Sequence, residues 1–392
     1  MAPPHSILFT IPNFITAGSG RALLNLLQRL DRTRFQPGVC VARKGGALDR
    51  EVDALGIPFL ESPFTVSPKP YLTLFWRAGR AACGFRRIRR TGSRRLDGAA
   101  AAAPGPFRLW HSFHYSDDYT EPIIARLAGG RAWVFTKKNM GWGSRAWSMR
   151  SRLATRIAAQ NADMLRDFFG APRLRAKTRP IPRGVDCTRF TPDAPPTLQI
   201  RAQRHIPAAA VVVACVAHLL PVKGQRTLIQ AAANLPGMHW LLAGDPLDQE
   251  YAASLRDEVA QRHLGDRVHF LGLVTKPSAL LAEADIFALP TWAKWRMEGC
   301  PVALLEAMAC GKACVATDIP GSRDLVEPGT SGLLVAPQDP LALAGALRQL
   351  ASSPTLRRQL GAAARRRVLD HFTIEREVAA HQALYDEILG DY

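Results

Sequence analysis

The stretch EGCPVALLEAMACGKACVATDIPG, residues 298–321, decides the fold. Pro301 suits the first position of a helix, because proline has no amide hydrogen and none is needed there. The apolar run after it predicts a helix over 302–309, and ACVAT predicts a buried strand over 313–317. A helix that leads directly into a buried strand is typical of a parallel sheet covered on both faces.

Two carboxylates stand out in this stretch. Glu306 would lie in the second turn of an otherwise apolar helix, where a carboxylate is costly unless it has a partner. Two hydroxyls of a ribose or sugar ring suit it, because an ionised carboxylate accepts hydrogen bonds from both. The amides at 302–304 would bind an anion, and Glu298 adds a second carboxylate. The alternative interpretation is an amphipathic helix with one capping and one exposed glutamate.

Short apolar strands alternate with helical segments along the whole chain. The predicted strands are 7–11, 38–42, 57–60, 107–110, 132–136, 178–181, 210–217, 239–243, 268–271, 285–288, 313–317 and 332–335. A proline-rich break at 180–207 separates two such runs. We therefore predict two doubly wound α/β domains in tandem, 1–185 and 186–372, with the ligand in the crevice between them.

Three further segments follow predicted strands. Lys223, beside a glycine in a strand-to-helix loop that begins at His218, can reach a diphosphate as a point charge. Gly18, Ser19 and Gly20 would form a loop that lets backbone approach a phosphate or a sugar. This loop matches neither the dinucleotide fingerprint nor the P-loop.

Two histidines, His111 and His114, follow the strand predicted over 107–110. Either would point toward the crevice and could hydrogen-bond a sugar hydroxyl or a phosphate oxygen. A purely structural histidine is the alternative for each of them.

The second half of the chain resembles the retaining GT-B glycosyltransferases of family four, the group 1 type. Glu298 and Glu306 have the spacing of the E-x7-E signature of that family. The other matching pieces are Lys223-Gly224, Gly244-Asp245, Val268 to Gly272, Ala284 to Pro290, and Gly332 to Val335 with Asp339. In the first half, PRGVD at 182–186 and FTP at 190–192 resemble the domain-junction motif.

The resemblance implies a role for each candidate residue. Lys223 would neutralise the diphosphate of a nucleotide-sugar donor, and Glu306 would hold its ribose. The donor sugar would contact Glu298 and the backbone of four residues, Gly299, Cys300, Pro301 and Val302. His218 stands where the family usually has arginine, so it would make the donor site sensitive to pH.

The resemblance also implies the remaining features of the reaction. The loop at 18–20 would approach the reacting centre, and the catalytic groups would be Glu298 with either His111 or His114. The anomeric configuration would be retained, and neither a metal nor another cofactor would be needed, because Lys223 supplies the positive charge. A final helix, 373–392, would cross back to the N-terminal domain through the apolar stripe Val378, Leu384 and Ile388.

The positive charge of the chain is confined to its first half. Residues 1–190 contain 32 Lys and Arg against 12 Asp and Glu, a net charge of +20. Residues 191–392 have a net charge of −2. Such asymmetry suggests an anionic partner for the first half, either nucleic acid or a membrane surface.

The segment 71–95 is the candidate for membrane contact. It combines eight arginines between 77 and 95 with the aromatic residues Tyr71, Phe75 and Trp76. A basic stretch with an apolar flank is typical of an interfacial segment, and a solvated basic helix is the alternative. We therefore expect peripheral binding to the anionic inner face of the plasma membrane and a lipid-linked or cell-surface acceptor glycan, such as lipopolysaccharide or exopolysaccharide.

Other classes of protein fit the sequence less well. The chain has no apolar run of about 18 residues, so we expect no transmembrane helix. Seven scattered cysteines are typical of reduced thiols in a cytoplasmic protein. A sugar-nucleotide epimerase with the same fold is one alternative. A basic nucleic-acid-binding protein is another, but no base-stacking module is evident, so we expect no nucleic-acid partner.

Overall fold

The computed structural model describes residues 3–15, 17–67, 69, 73–91, 107–141, 144–292 and 298–390. The chain forms two compact units. The N-terminal unit comprises Met1–Lys138, Trp142–Ile181 and Glu377–Tyr392, and the C-terminal unit comprises Asn139–Gly141 and Pro182–Arg376. Apart from the short segment 139–141, the chain changes units after Ile181 and again after Arg376, each four residues from the boundaries expected after 185 and after 372.

The N-terminal unit contains a seven-stranded, wholly parallel sheet in the order β3-β2-β1-β4-β5-β6-β7. Its strands are β1 (His5–Ile11), β2 (Phe35–Val41), β3 (Phe59–Glu61), β4 (Leu109–Ser112), β5 (Ala132–Lys137), β6 (Arg156–Ala159) and β7 (Thr178–Pro180). Its helices are α1 (Ala17–Arg29), α2 (Asp49–Asp53), α3 (Leu74–Thr91), α4 (Thr120–Leu127), α5 (Arg145–Leu153), α6 (Ala162–Asp167) and α7 (Pro172–Lys177). The central strands are buried along nearly their whole length, as expected where both faces of a parallel sheet are covered.

The C-terminal unit contains a six-stranded parallel sheet in the order β10-β9-β8-β11-β12-β13. Its strands are β8 (Val211–Val216), β9 (Met238–Ala243), β10 (Val268–Gly272), β11 (Ile286–Leu289), β12 (Ala313–Thr317) and β13 (Leu333–Val335). Its helices are α8 (Ile200–Gln203), α9 (Gln225–Ala232), α10 (Gln249–Gln261), α11 (Pro277–Ala282), α12 (Val302–Ala309), α13 (Ser322–Leu325), α14 (Pro340–Ser352) and α15 (Pro354–His371). No helix in the described part of the chain is both long and apolar enough to cross a bilayer.

The last helix, α16 (Ile374–Gly390), packs in the N-terminal unit for most of its length. Gln382 accepts a hydrogen bond of 2.8 Å from the amide of Asp31. Glu387 forms an ion pair of 2.9 Å with Arg156. The apolar stripe on this helix is buried: Val378, Leu384 and Ile388.

The segment 18–20 is helical, so its prediction as a glycine loop was wrong. Helix α1 begins at Ala17, and Gly18, Ser19 and Gly20 form its first turn. At Gly20 a Cβ would lie 3.1 Å from the Phe14 ring, so this glycine permits close packing of the helix. Two glycines weaken the helix pattern locally, but the buried leucines after them stabilise the helix through packing.

Strand β4 ends two residues later than predicted, and this changes the place of His111. The imidazole is completely buried inside the strand. Its Nδ1 lies 2.6 Å from the Tyr385 hydroxyl, and its Nε2 lies 2.8 Å from Oγ1 of Thr136. Burial holds the pKa of His111 well below its usual value, so the ring is neutral. His111 is therefore a core residue that links β4 to α16, and its prediction as a possible catalytic group is corrected.

The contact between His111 and Tyr385 allows a test of how α16 is held. Tyr385→Phe should lower the free energy of unfolding by about 1–3 kcal/mol, because it leaves a buried ring nitrogen without a partner. Urea unfolding followed by tryptophan fluorescence measures the change. Tyr115→Phe, in an exposed tyrosine, is the control. Equal stability of Tyr385→Phe and the wild type would contradict the role of this hydrogen bond.

Candidate functional site

The candidate site of the C-terminal unit lies at the carboxyl edge of its sheet. Strands β8, β11 and β12 are neighbours. The loop after β8 carries His218 and Lys223, and the loop after β11 leads to Glu298 and then to α12. Because the carboxyl ends of parallel strands meet at one edge, this topology brings the candidate residues together.

Two glycines hold these loops against each other. Gly224 has φ +71°, and a Cβ there would lie 1.8 Å from the carbonyl oxygen of Pro290. Gly321 has φ +84°, and a Cβ there would lie 2.7 Å from the carbonyl oxygen of Gly299. Both positions need glycine for the backbone conformation and for the close approach. The loops after β8 and β12 therefore fix the segment on either side of Glu298.

Lys223 and Glu298 form an ion pair, although the sequence suggested a separate partner for each. Lys223 ends a short 3-10 turn that begins at Pro221, and its ammonium donates to Oε1 of Glu298. The lysine side chain is 12% exposed and the glutamate side chain 44% exposed. Glu298 thus neutralises the lysine while leaving part of its own carboxylate open to solvent.

Helix α12 presents free amides next to this pair. The helix begins at Val302, and Pro301 is its N-cap residue, one position from the prediction. The amide of Leu304 already bonds to the carbonyl of Pro301 at 3.1 Å. The amides of Val302 and Ala303 have no acceptor in the first turn, as is general for helix N-termini. An anion at this end would meet two N–H groups and the positive end of the helix dipole.

Glu306, in the second turn of α12, is a half-buried carboxylate. No residue within the described ranges donates a hydrogen bond to its side chain. Burial raises the pKa of Glu306 to about 7, against the opposing effect of the Arg189 guanidinium. A carboxylate in this state gains stability from any ligand that offers hydroxyl donors, because such donors favour its ionised form.

Arg189 was not identified from the sequence as a functional residue. It is exposed, lies just before Phe190 in the segment resembling a domain junction, and acts electrostatically on Glu306. The only signal in the sequence was its place within that segment. Since Glu306 is far along the chain, their proximity required the fold.

His218 is half-buried in the loop after β8. Its Nδ1 is buried and has no hydrogen-bond partner among the described residues. Its carbonyl accepts a hydrogen bond of 2.9 Å from Gln225, which fixes the backbone of the loop. The ring therefore retains unused hydrogen-bonding capacity close to Lys223 in the chain.

His114 lies in the loop after β4, in the N-terminal unit, and is half-buried. Its Nδ1 lies 3.1 Å from the Ser116 hydroxyl. Burial, assisted by the positive charge of Arg150, lowers the pKa of His114 to about 4. The imidazole is neutral near pH 7 and can accept a proton or a hydrogen bond. Of the two histidines considered, only His114 is accessible.

Helix α3 exposes the aromatic and basic groups of the predicted membrane segment as far as they are described. Phe75 is 70% exposed and Trp76 is 63% exposed. The guanidinium of Arg80 lies 4.9 Å from the centroid of the Trp76 ring. Tyr71 and residues 92–95 lie outside the described residues, as do the side chains of 86–91.

Comparison with known proteins identifies the class. Residues 197–367 match the family model "Glycosyl transferases group 1". The structure resembles that of Anabaena HepE in complex with UDP-glucose, with a TM-score of 0.77, 21% sequence identity and coverage of 98% of this chain and 99% of that chain. The fold is therefore GT-B, and over residues 197–367 the chain is similar to the group 1 glycosyltransferases. It is a glycosyltransferase.

The chain is similar to two curated bacterial glycosyltransferases. The putative glycosyltransferase EpsF of Bacillus subtilis is 27% identical over 80% of this chain and 79% of its own length. The lipopolysaccharide core biosynthesis mannosyltransferase LpcC of Rhizobium leguminosarum is 30% identical over 54% of this chain and 60% of its own length. The chain spans about half the length of several other relatives.

The raised pKa of Glu306 predicts a specific dependence of stability on pH. Since the pKa is near 7 in the folded state and near 4.5 in the unfolded state, the folded state binds more protons between these values. The free energy of unfolding should therefore fall as the pH rises through this window. Glu306→Gln should remove this loss of stability. At pH 8 its free energy of unfolding should exceed that of the wild type by on the order of 1–3 kcal/mol, and at pH 4 the two should be equal.

Urea unfolding at a series of pH values measures this difference. Glu250→Gln, in an exposed glutamate of α10, is the matched control and should follow the wild type. If Glu306→Gln and the wild type show the same pH dependence, then the burial of Glu306 does not affect its ionisation.

Proposed function

We propose that this glycosyltransferase transfers a sugar from a nucleotide-sugar donor to a glycan acceptor and binds the donor in its C-terminal unit. The observation that carries the proposal is the arrangement at the carboxyl edge of the C-terminal sheet. The adjoining loops and one helix carry a paired lysine, two free helix amides and a carboxylate that receives no hydrogen bond from the described residues. The complex of Anabaena HepE with UDP-glucose supports a nucleotide-sugar donor.

In this proposal Lys223 exchanges one anionic partner for another. The donor diphosphate takes the place of Glu298 on the lysine ammonium and also meets the amides of Val302 and Ala303. Glu298 is then free to accept hydrogen bonds from hydroxyls of the donor sugar. When the bond to the sugar breaks, negative charge develops on the departing diphosphate, and Lys223 stabilises it.

Glu306 would receive the two hydroxyls of the ribose. Its lack of hydrogen-bond donors in the described residues makes it suited to a ligand with two adjacent hydroxyls. Binding would favour the carboxylate, so nucleotide binding near pH 6 should release a proton. His218 has a buried ring nitrogen without a hydrogen-bond partner in the described part of the chain, and it would provide a further donor-side contact.

The N-terminal unit would supply the acceptor side and the remaining catalytic group. Of the two histidines considered from the sequence, His114 remains the candidate, because His111 is a core residue. The first turn of α1, with Gly18, Ser19 and Gly20, would contribute backbone near the reacting centre. The proposal also includes retention of the anomeric configuration and a reaction that needs neither a metal nor another cofactor. Both of these stay predictions.

The donor site is tested by removing the charges assigned to it. Lys223→Ala and Glu306→Ala should each weaken nucleotide-sugar binding by roughly ten- to a hundredfold, because a charge-assisted hydrogen bond is lost. Isothermal titration with UDP-, GDP- and ADP-sugars measures this affinity and also identifies the nucleotide. Lys276→Ala, in an exposed lysine of the same unit, is the control. Wild-type affinity in both site variants would exclude this donor site.

We propose that the acceptor is a lipid-linked or cell-surface glycan presented at an anionic membrane. The support is the net charge of +20 over residues 1–190, together with the exposed Phe75, Trp76 and Arg80 of α3. A lipopolysaccharide core enzyme among the relatives agrees with such an acceptor. Peripheral binding at the inner face of the plasma membrane would follow, without a nucleic-acid partner.

Membrane binding should require both charge and the aromatic residues. We expect the wild type to sediment with anionic phosphatidylglycerol vesicles and to be released from them by high salt. It should not sediment with neutral phosphatidylcholine vesicles. Phe75→Ala should weaken the binding. Leu341→Ala is the control, because Leu341 is 72% exposed but lies in the C-terminal unit. Equal sedimentation with both kinds of vesicle, or with neither, would contradict the proposal.

A further inference from the structure

A buried ion pair lies beneath the carboxyl edge of the N-terminal sheet. Glu121 at the start of α4 and Arg150 in α5 are both completely buried, and their side chains are 3.1 Å apart. Thr10 at the end of β1 also donates to Glu121. Burial of two charges carries a large desolvation cost, which close hydrogen bonding must offset.

This ion pair fixes the loop between β4 and α4, residues 113–118. The Ser112 hydroxyl donates to Glu121 at 2.7 Å and accepts from Arg150 at 2.8 Å. The same hydroxyl accepts from the amide of His114 at 3.3 Å, and Arg150 also donates to the carbonyl of Asp118. The loop is therefore tied to the buried pair at both ends.

The loop presents an aromatic ring next to the candidate catalytic histidine. Tyr115 is 49% exposed, although an aromatic side chain normally gains stability from burial. Its ring lies edge-on to that of His114, with the centroids 6.0 Å apart. A rigid loop that exposes an aromatic ring has the features of a recognition surface, since little entropy is lost when a ligand binds to it.

The charge of the loop restricts the ligand. The segment 113–118 contains Asp117 and Asp118 and no lysine or arginine. Arg150 beneath it is completely buried and engaged. Lys138 also lies at this loop, because its ammonium donates to the carbonyl of Phe113. The two aspartates and this lysine leave no excess of positive charge that would attract an anion. A neutral pyranose fits better, because it offers a face of C–H groups to an aromatic ring and hydroxyls at its edge.

We propose that the loop 113–118 is a subsite for a neutral pyranose ring of the acceptor, with Tyr115 as the stacking platform. The inference rests on the proposed glycosyltransfer to a glycan. A ring stacked on Tyr115 has its hydroxyls beside His114, where one of them can be the attacking group. Glu121, Arg150 and Ser112 are positioning residues that hold the platform.

Saturation-transfer NMR with simple sugars tests the platform directly. The probes are the methyl α-pyranosides of glucose, galactose and mannose, with methyl glucuronide as the anionic probe and glycerol as the probe without a ring. We expect at least one neutral pyranoside to bind the wild type and Tyr115→Phe alike, with its C–H protons most strongly saturated. Tyr115→Ala should bind roughly three- to tenfold more weakly, the range for loss of one aromatic contact.

The matched control is Met149→Ala, because Met149 is 45% exposed in the same unit but lies outside the loop. Equal saturation in Tyr115→Ala and the wild type overturns the proposal, as does stronger binding of the glucuronide or no binding of any neutral pyranoside. Nucleotide-sugar titration of the same samples is a separate test of the donor site. Its failure would overturn the proposed donor function, whereas failure of the sugar probes alone would overturn only the Tyr115 subsite.

Ser112→Ala tests the positioning role without removing either charge. It should raise the hydrogen-exchange rate of the amides in 113–118 and weaken pyranoside binding, while nucleotide-sugar affinity stays at the wild-type value. Thr136→Val is the control, because Thr136 is also a buried hydrogen-bonding residue of this sheet but contacts His111 instead. Unchanged exchange and unchanged pyranoside binding in Ser112→Ala would exclude the positioning role.

Discussion

Helices cover both faces of each parallel sheet, and the rest of the structure depends on this constraint. Strands β1, β4 and β5, like β8, β11 and β12, are almost entirely buried, so polar chemistry is confined to the strand ends. The carboxyl ends of neighbouring strands share one edge in each unit. Polar residues from distant parts of the chain therefore meet there without disturbing the core.

The ion pair between Lys223 and Glu298 illustrates what this edge makes possible. Two side chains separated by 75 residues meet because β8 and β11 are adjacent. The pair stabilises a half-buried cation, which would otherwise be a source of instability. A partly exposed pair can also be separated by a stronger anion at modest cost, because solvent already weakens its attraction.

Much of this organisation was predictable from the sequence, and the failures have physical causes. The strand predicted over 313–317 is β12, and the helix predicted over 302–309 is α12, because a buried strand and an apolar helix have clear local patterns. The start of α1 was missed because glycines favour loops unless packing stabilises the helix. His111 was misplaced because strand ends depend on hydrogen bonds to neighbouring strands, which a single sequence does not reveal.

Two carboxylates in this fold, Glu121 and Glu306, differ in their hydrogen bonding. Glu121 receives hydrogen bonds from Thr10, Ser112 and Arg150, so its charge is fully compensated within the protein. Glu306 receives no side-chain hydrogen bond from the described residues, and burial raises its pKa against the opposing charge of Arg189. Both glutamates occur in largely apolar helical surroundings, so sequence pattern alone does not separate them. Their hydrogen-bond partners do, because a carboxylate without donors among the described residues is the one that can still accept hydrogen bonds from a ligand.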